Sequence, residues 1–399
     1  MNICFVTDQF TDYVSGVEQS LFNQMDLLED AGHTVFLIRP HQAHQPVLSN
    51  ELTITPRITL RIGGAVLPVV RRTPVSMRRM RQFMMDNKIE IIHSQGQGPI
   101  SYMALLTARD LAIPFVDTLH SFFLRAKESF VTWILRPITV RLVSLIAGYK
   151  VTPLPGSDSI TNRASLGAIL TFLKKVDVVI SPSRHQKDAL ERAGLTVPIE
   201  CIPNPLSRNS QKPQSGVANN SPLHVVWIGR MAAEKRLPMF VDAIAIALDQ
   251  RPGKLKVTMV GDGVDRRVSE QRTIGLPGVS FVGVKRHDEI LEILDSAHIL
   301  ALTSYHFDNQ PMVVTEAVSR YRGVLYCDER LTPEIGAAGV LTDGCDAAAI
   351  ADAIIDLIDH PEKAVKLSHA CQRQVEQFLP NYYVGRILAV YNAARERIL

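Results

Sequence analysis

Twice along this 399-residue chain, apolar runs of strand length alternate with amphipathic runs of helix length, and the two series are separated by a stretch that suits neither. In the first series "NICFV" leads into "GVEQSLFNQMDLLEDAGH". There Val17, Leu21, Met25 and Leu28 fall at helical spacing, and Gly32 ends the helix before "TVFLI". The unit recurs through "IEIIHS", "MALLTARDLA", "PFVDTLHS", "VDVVISPS" and "RHQKDALERAG". It restarts with "HVVWIG", "PMFVDAIAIALDQ", "LKVTMVG", "VSFVG", "EILEILDSA" and "HILALTS". Such alternation is the pattern of α/β layers built on parallel sheets. Between the series, "SRNSQKPQSGVANNSP" is rich in Ser, Asn, Gln and Pro and reads as a linker. The expected organisation is two Rossmann-like, doubly wound α/β domains, at 1–206 and 222–380, joined by a linker at 207–221. An amphipathic helix at 381–399 follows, with Val384, Ile387, Leu388, Tyr391 and Ala394 on its apolar face.

Composition limits what these domains can be. With 46% hydrophobic and 21% charged residues, the chain can bury two sizeable cores. Its five cysteines are scattered without a C-x-x-C pair, which suggests neither a disulfide framework nor a zinc site and fits a reducing cytoplasm. "MNICFVTDQF" lacks the basic start and long apolar middle of a signal peptide. The longest stretch without Lys, Arg, Asp or Glu, Ile91 to Ala108, holds His, Gln, Gly, Ser and Pro, so no transmembrane helix is expected.

In open α/β sheets, ligands sit beyond the carboxyl ends of the strands, where turns and helix N-termini aim N–H groups at anions. Ser15 and Gly16 stand just before the first helix, and Gly229, Arg230 and Lys235 directly follow "HVVWI". An arginine and a lysine five residues apart on one such loop can converge on a diphosphate. "VGDG" at 260–263 is a further turn of this kind, without the third glycine of a dinucleotide fingerprint. In "HFDNQPMVVTE", 306–316, the loop "YHFDNQ" precedes a helix in which Pro311 is expected at the first position and Asn309 or Gln310 at the cap. The N–H groups of Met312, Val313 and Val314 would then favour an anion. Asp308 and Glu316 flank that place and can accept hydrogen bonds from hydroxyl groups on either side of it.

Taken together, "SGVEQ", "TLHS" ending at His120, "SPSRHQKDAL", "CIPNP", "GRMAAEK", "VGDG", "VSFVG" and the two acids separated by seven residues resemble the retaining, nucleotide-sugar-dependent glycosyltransferases of family four. The resemblance covers nearly the whole chain. It implies the GT-B fold, two Rossmann-like domains facing a central cleft, with the C-terminal helix crossing back to the N-terminal domain. It also implies Arg230 and Lys235 at the donor diphosphate and Glu316 at the ribose. Asp308 with neighbouring backbone would hold the transferred sugar, and Gly16 and His120 would come from the first domain. Two positions depart from the family's pattern: Asp308 stands where Glu is usual, and Pro311 where a glycine is usual. The branch most resembled contains diacylglycerol glycosyltransferases and lipid mannosyltransferases.

Charge gives a separate reason to expect a membrane surface. Arg57, Arg61, Arg71, Arg72, Arg78, Arg79 and Arg81 fall within 57–85 without an acid, beside "GGAVLPVV". Between 121 and 150, five basic residues accompany Phe122, Phe123 and Trp133. Basic and apolar residues together suit an anionic membrane, and the basic runs lack the interleaved aromatics of a nucleic-acid surface. The expectation is a retaining hexosyltransferase, peripherally bound at the cytoplasmic face of the membrane. It would move sugar from a UDP-glucose or GDP-mannose class donor to a lipid hydroxyl such as diacylglycerol and form an α-glycoside, with no cofactor and no metal. A soluble or polysaccharide acceptor, and a nucleotide-sugar epimerase of the same fold, are the competing expectations.

Overall fold

The computed structural model describes residues 1–10, 16–62, 65–120, 160–208 and 222–397. The chain divides into two compact units, Met1–Asn204 with Tyr383–Leu399, and Pro205–Tyr382.

The first unit is built on a seven-stranded sheet in the order β3-β2-β1-β6-β7-β8-β9, every pair parallel. Its strands are β1 (Asn2–Val6), β2 (Thr34–Pro40), β3 (Glu51–Ile54), β6 (Ile91–Ser94), β7 (Phe115–Thr118), β8 (Val178–Ser181) and β9 (Ile199–Cys201). Both faces of β1 are buried. Cys4 and Val6 meet α2 (Pro74–Asp86), α3 (Pro99–Asp110) and α4 (Ile160–Leu173) through Met80, Met84, Met103 and Phe172, and α5 (Arg184–Arg192) joins β8 to β9. Ile3 and Phe5 meet α1 (Gly16–Asp30) and the C-terminal helix through Leu21, Leu28, Tyr383, Ile387 and Tyr391. Each of these large side chains contributes about 1.5–3 kcal/mol by leaving water. That is why a strand of a parallel sheet is apolar at successive positions rather than alternate ones.

A separate antiparallel hairpin, β4 (Ile58–Ile62) with β5 (Ala65–Val69), was not legible as such in the sequence. The basic stretch from Arg57 onward is therefore two elements, this hairpin and α2. Thr73 starts α2 by a reciprocal cap: its hydroxyl accepts from the Ser76 amide at 3.1 Å, and its own amide donates to the Ser76 hydroxyl at 3.0 Å.

The second unit holds six parallel strands in the order β12-β11-β10-β13-β14-β15. They are β10 (Leu223–Ile228), β11 (Leu255–Val260), β12 (Val279–Gly283), β13 (Ile299–Leu302), β14 (Gly323–Tyr326) and β15 (Gly339–Leu341). In β13, Ile299 and Ala301 face α6 (Leu237–Gln250) and α11 (Ala347–Asp359), while Leu300 and Leu302 face α8 (His287–Ser296) and α9 (Met312–Ser319). The short helices α7 (Arg266–Arg272) and α10 (Thr332–Ile335), with α12 (Glu362–Gln374), complete the unit before α13 (Pro380–Glu396). Most of α13 belongs to the first unit. Among the described residues no helix is long and apolar enough to cross a membrane.

Candidate active site

Each sheet has one place where neighbouring strands send their connections to opposite faces: β1 beside β6 in the first unit, β10 beside β13 in the second. The loops after such strands part and leave a crevice at the carboxyl ends. In the second unit those loops carry Arg230 and Lys235 on one side and Asp308 on the other.

The two loops are tied to each other. The Trp227 indole N–H donates to Thr303 Oγ1 at 3.0 Å, and the Thr303 hydroxyl donates to the Lys235 carbonyl at 2.8 Å. Lys235 ends a single 3₁₀ turn, Ala233–Lys235, and Arg236 then takes a left-handed backbone, φ 56°, before α6 begins. This places the Lys235 ammonium on both oxygens of Asp308, at 2.6 and 2.8 Å. The Ser304 hydroxyl also donates to Asp308, and the Phe307 ring lies 5.4 Å from the ammonium.

The loop bearing Asp308 bends at His306, φ 55°, whose N–H donates to Asp328 Oδ2 at 2.8 Å. Asp328 follows β14 and is buried under the Arg330 guanidinium; burial raises its carboxyl, but the Arg330 and backbone hydrogen bonds win and hold it below the usual range.

Arg230 does not join this cluster. Its guanidinium, 58% exposed, pairs with Glu234. An exposed pair four residues apart is worth only a few tenths of a kcal/mol, about 0.3–0.5, so it exchanges readily for a stronger anion. The "VGDG" turn proves to be a brace: Met231 N–H donates to the Asp262 carbonyl at 2.8 Å, and Asp265 N–H to the Met231 carbonyl at 3.0 Å. Gly261 sits at φ 126°, where a Cβ would come within 1.9 Å of the Gly229 carbonyl oxygen, so only glycine lets these loops approach.

Pro311 is the N-cap residue of α9, one position earlier than expected, and neither Asn309 nor Gln310 caps it. The cap is a backbone one: the Val314 N–H is taken by the Pro311 carbonyl at 3.0 Å. The first-turn amides presented at the switch point are therefore those of Met312 and Val313, not three in a row. Glu316, in the second turn, is buried, and desolvation pushes its carboxyl up to about 8. Its Oε1 lies 3.4 Å from Nδ1 of His287, the first residue of α8. At neutral pH the acid therefore carries a proton and both donates and accepts, where the sequence suggested an acceptor only.

In the first unit Gly16 opens α1, and Ser15 lies outside the described residues. At the corresponding switch point Asp8, after β1, accepts from the amides of Gly98 at 2.9 Å and Ile100 at 2.6 Å and so caps α3. A Cβ on Gly98 would come within 2.5 Å of the Asp8 carboxyl carbon, which explains the glycine. His120 follows β7, and its Nε2–H donates to Gln95 Oε1 at 2.5 Å. Burial lowers its imidazole to about 4, so the ring is neutral. Asp117, fully buried on β7, is pushed up to about 8 by desolvation and accepts from the Gln97 amide at 2.7 Å.

Arg71, Arg72, Arg78, Arg79 and Arg81 are all exposed, the last three on α2 with the exposed Val75 and Met85 and the first two just before it. Trp133 and the whole 121–150 segment lie outside the described residues. Ser304, Asp328, His287 and Gln95 were missed in the sequence because each acts through a partner distant along the chain or through a loop bend that no local motif announces.

The family model Glycosyltransferase Family 4 matches residues 14–209, and the model Glycosyl transferases group 1 matches residues 222–360. The sulfoquinovosyl transferase SQD2 of Arabidopsis thaliana is 22% identical over 380 residues, covering 92% of this chain and 68% of that protein. The alpha-monoglucosyldiacylglycerol synthase of Acholeplasma laidlawii is 22% identical over 288 residues, 68% of this chain and 66% of its own. Anabaena Alr3699/HepE, solved in complex with UDP and glucose, superposes with a TM-score of 0.68 at 16% identity, over 98% of this chain and all of that one, 100%. Two family models in sequence, each spanning one parallel-sheet unit, lead to one assignment: the chain belongs to the family 4 glycosyltransferases and has the GT-B fold.

Proposed function

We propose that this glycosyltransferase is a retaining hexosyltransferase that moves a sugar from a UDP- or GDP-sugar to the hydroxyl of a membrane lipid such as diacylglycerol, giving an α-glycoside. The observation that carries the donor half is the meeting of the Lys235 ammonium with Asp308, in the loop that leads into α9, at the switch point of the second sheet. A donor diphosphate placed there gains Lys235, the amides of Met312 and Val313, and Arg230 once it leaves Glu234. These groups stabilise the charge that develops as the diphosphate departs, without a metal. As the bond from the anomeric carbon to the phosphate oxygen breaks, the acceptor oxygen bonds that carbon on the same face. The acceptor's proton passes to the departing phosphate oxygen, so no side chain need act as base. Asp308 and Asn309 face the sugar, Gln310 lines the same loop, Glu316 takes the ribose hydroxyls, and Gly16 and His120 contribute from the first unit.

The lipid half is supported by α2, where exposed arginines share the helix surface with Val75 and Met85 while Met80 and Met84 face the core. Such a face favours an anionic surface by about 1 kcal/mol per charge, with the apolar side chains entering the headgroup boundary. The protein then works as a peripheral protein on the cytoplasmic face of the membrane. The test is transfer from a panel of labelled nucleotide sugars into membrane lipid extract, with the product identified and its anomeric configuration read by NMR. An α-linked glycolipid is expected. Label entering only soluble or polysaccharide acceptors, a β-linked product, or epimerised sugar from donor alone would overturn the proposal.

A further inference from the structure

We infer that Gln95, Gln24 and Tyr383 are positioning residues that hold the His120 imidazole as its Nε2–H tautomer, so that Nδ1 meets the transferred sugar as a hydrogen-bond acceptor. This rests on the reading of His120 as a sugar contact. The side chains form one buried chain of hydrogen bonds within the first unit. His120 Nε2–H donates to Gln95 Oε1 at 2.5 Å, and the Gln95 amide donates to Gln24 Oε1 at 3.1 Å. Gln24 Oε1 also takes the Tyr383 hydroxyl proton at 2.7 Å, and its amide donates to Ser20 Oγ at 2.8 Å. The Ser20 hydroxyl donates to Asn204 Oδ1 at 2.8 Å. Gln95, Gln24 and Tyr383 are all buried, so water cannot substitute for a missing partner.

The chain has a direction, and Tyr383 sets it. A carboxamide offers an acceptor at one end and a donor at the other, so turning Gln95 round forces Gln24 round as well. The buried Tyr383 proton would then face an amide N–H instead of the oxygen that now accepts it, at a desolvation cost comparable to a lost hydrogen bond. With the direction fixed, Gln95 presents its carbonyl to His120 and selects the Nε2–H tautomer. A neutral imidazole with its proton on Nε2 has an acceptor at Nδ1.

The same helix holds the end of β7 a second time. Tyr391 Oη is 2.7 Å from His93 Nδ1, and His93 Nε2 is 2.6 Å from Thr118 Oγ1, two residues before His120. Burial keeps the ring neutral, and the ionisable groups on the surrounding elements are buried with it. His93 on β6 is lowered to about 3 by burial and by His120. Asp117 on β7 is pushed up to about 8, and Asp8 after β1 is raised, both chiefly by burial. Glu18 on α1 and Tyr383 and Tyr391 on α13 are buried as well.

The test uses the full chain labelled with ¹³C and ¹⁵N at histidine, the His120 signals being identified as those missing in His120→Ala. Wild type is expected to show the Nε2–H tautomer, neutral down to about pH 5. Tyr383→Phe keeps the ring and removes only the hydroxyl; it should give a mixture of tautomers and lower kcat/KM for the donor roughly 3- to 10-fold. Gln95→Glu puts a carboxylate against Nε2–H. It should raise the His120 pKa and the acid limb of kcat/KM together by about one unit or more. A wild-type Nδ1–H tautomer, or a Gln95→Glu profile with an unmoved acid limb and an unmoved His120 titration, overturns the inference. Wild-type transfer by His120→Ala would instead remove the sugar-contact reading, and the tautomer of wild type and Tyr383→Phe still decides whether the chain holds the ring.

Discussion

Lys235→Ala tests whether the switch point of the second sheet is held by charge. The ammonium sits at 2.6 and 2.8 Å from the two Asp308 oxygens, with side chains 20% and 10% exposed. Breaking a buried pair from one side costs about 3–5 kcal/mol because the other charge is left uncompensated. Ser304 still donates to Asp308 in the variant, and the wild-type pair is not fully cut off from water, so the lower end applies: about 3 kcal/mol. In a unit of this size that is a fall of about 6–12 °C in the midpoint of unfolding. Asp308→Asn leaves an ammonium that reaches water and should cost about 1–2 kcal/mol. The double variant should cost about 2 kcal/mol rather than the sum, giving a coupling of about 2–3 kcal/mol. Urea unfolding followed by a probe in the second unit measures all four states. Losses that add to within about 0.5 kcal/mol would refute the pair. The same proteins separate holding from binding. Lys235→Ala should weaken UDP affinity about 10- to 100-fold, whereas Asp308→Asn should leave it equal or tighter because the ammonium loses a competing carboxylate.

Glu316→Gln should flatten the pH dependence of stability. The native acid, pushed up to about 8, keeps a proton that the unfolded chain releases from about pH 4.5, so wild-type stability should fall as pH rises across that window and level off above it. Equal slopes for wild type and Glu316→Gln between pH 5.5 and 7.5 would show the native acid ionised. Replacing Arg71, Arg72, Arg78, Arg79 and Arg81 with Ser should abolish sedimentation with anionic vesicles at low salt, at about 1 kcal/mol per charge, while UDP binding survives. Wild type should release in part as salt rises, since screening acts beyond about 8 Å at physiological ionic strength. Undiminished sedimentation of the five-serine variant would leave these arginines a solvated face.

The sheets were legible because burial on both faces forces apolar residues at successive positions, as in Ile299 to Leu302, and such runs stand out from the helices between them. The hairpin at 58–69 was not, because its residues carry basic charge and a proline, Pro68, that argue against a strand. At the site, strand ends and helix starts could be read from sequence, which placed Arg230, Lys235 and Asp308 on loops after strands and Glu316 in the second turn of a helix. What could not be read was which charges meet: Lys235 with Asp308 depends on the 3₁₀ turn and the left-handed Arg236, and Arg230 with Glu234 on helical spacing within the same loop. The chain from His120 to Tyr383 was hidden for a simpler reason. Its members are short polar motifs only in space, Gln24 and Tyr383 being 359 residues apart.

The two departures from the family's pattern act on different halves of the proposed donor. Pro311 removes an N–H from the N-cap position, which an α-helix does not use, and leaves the amides of Met312 and Val313 in the first turn. The diphosphate half therefore keeps its donors. Asp308 is shorter by one methylene than the usual Glu, and both its oxygens are already engaged by Lys235 and Ser304. On the proposed reading it can serve a sugar hydroxyl only when the diphosphate draws the ammonium away, so that binding one half of the donor frees the group that reads the other. The consequence is an order of events: nucleotide diphosphate first engages Lys235, and sugar selection follows from the released carboxylate. Free hexose should accordingly bind only when UDP is present, and Lys235→Ala, which leaves Asp308 without its cation, should bind hexose no better with UDP than without it.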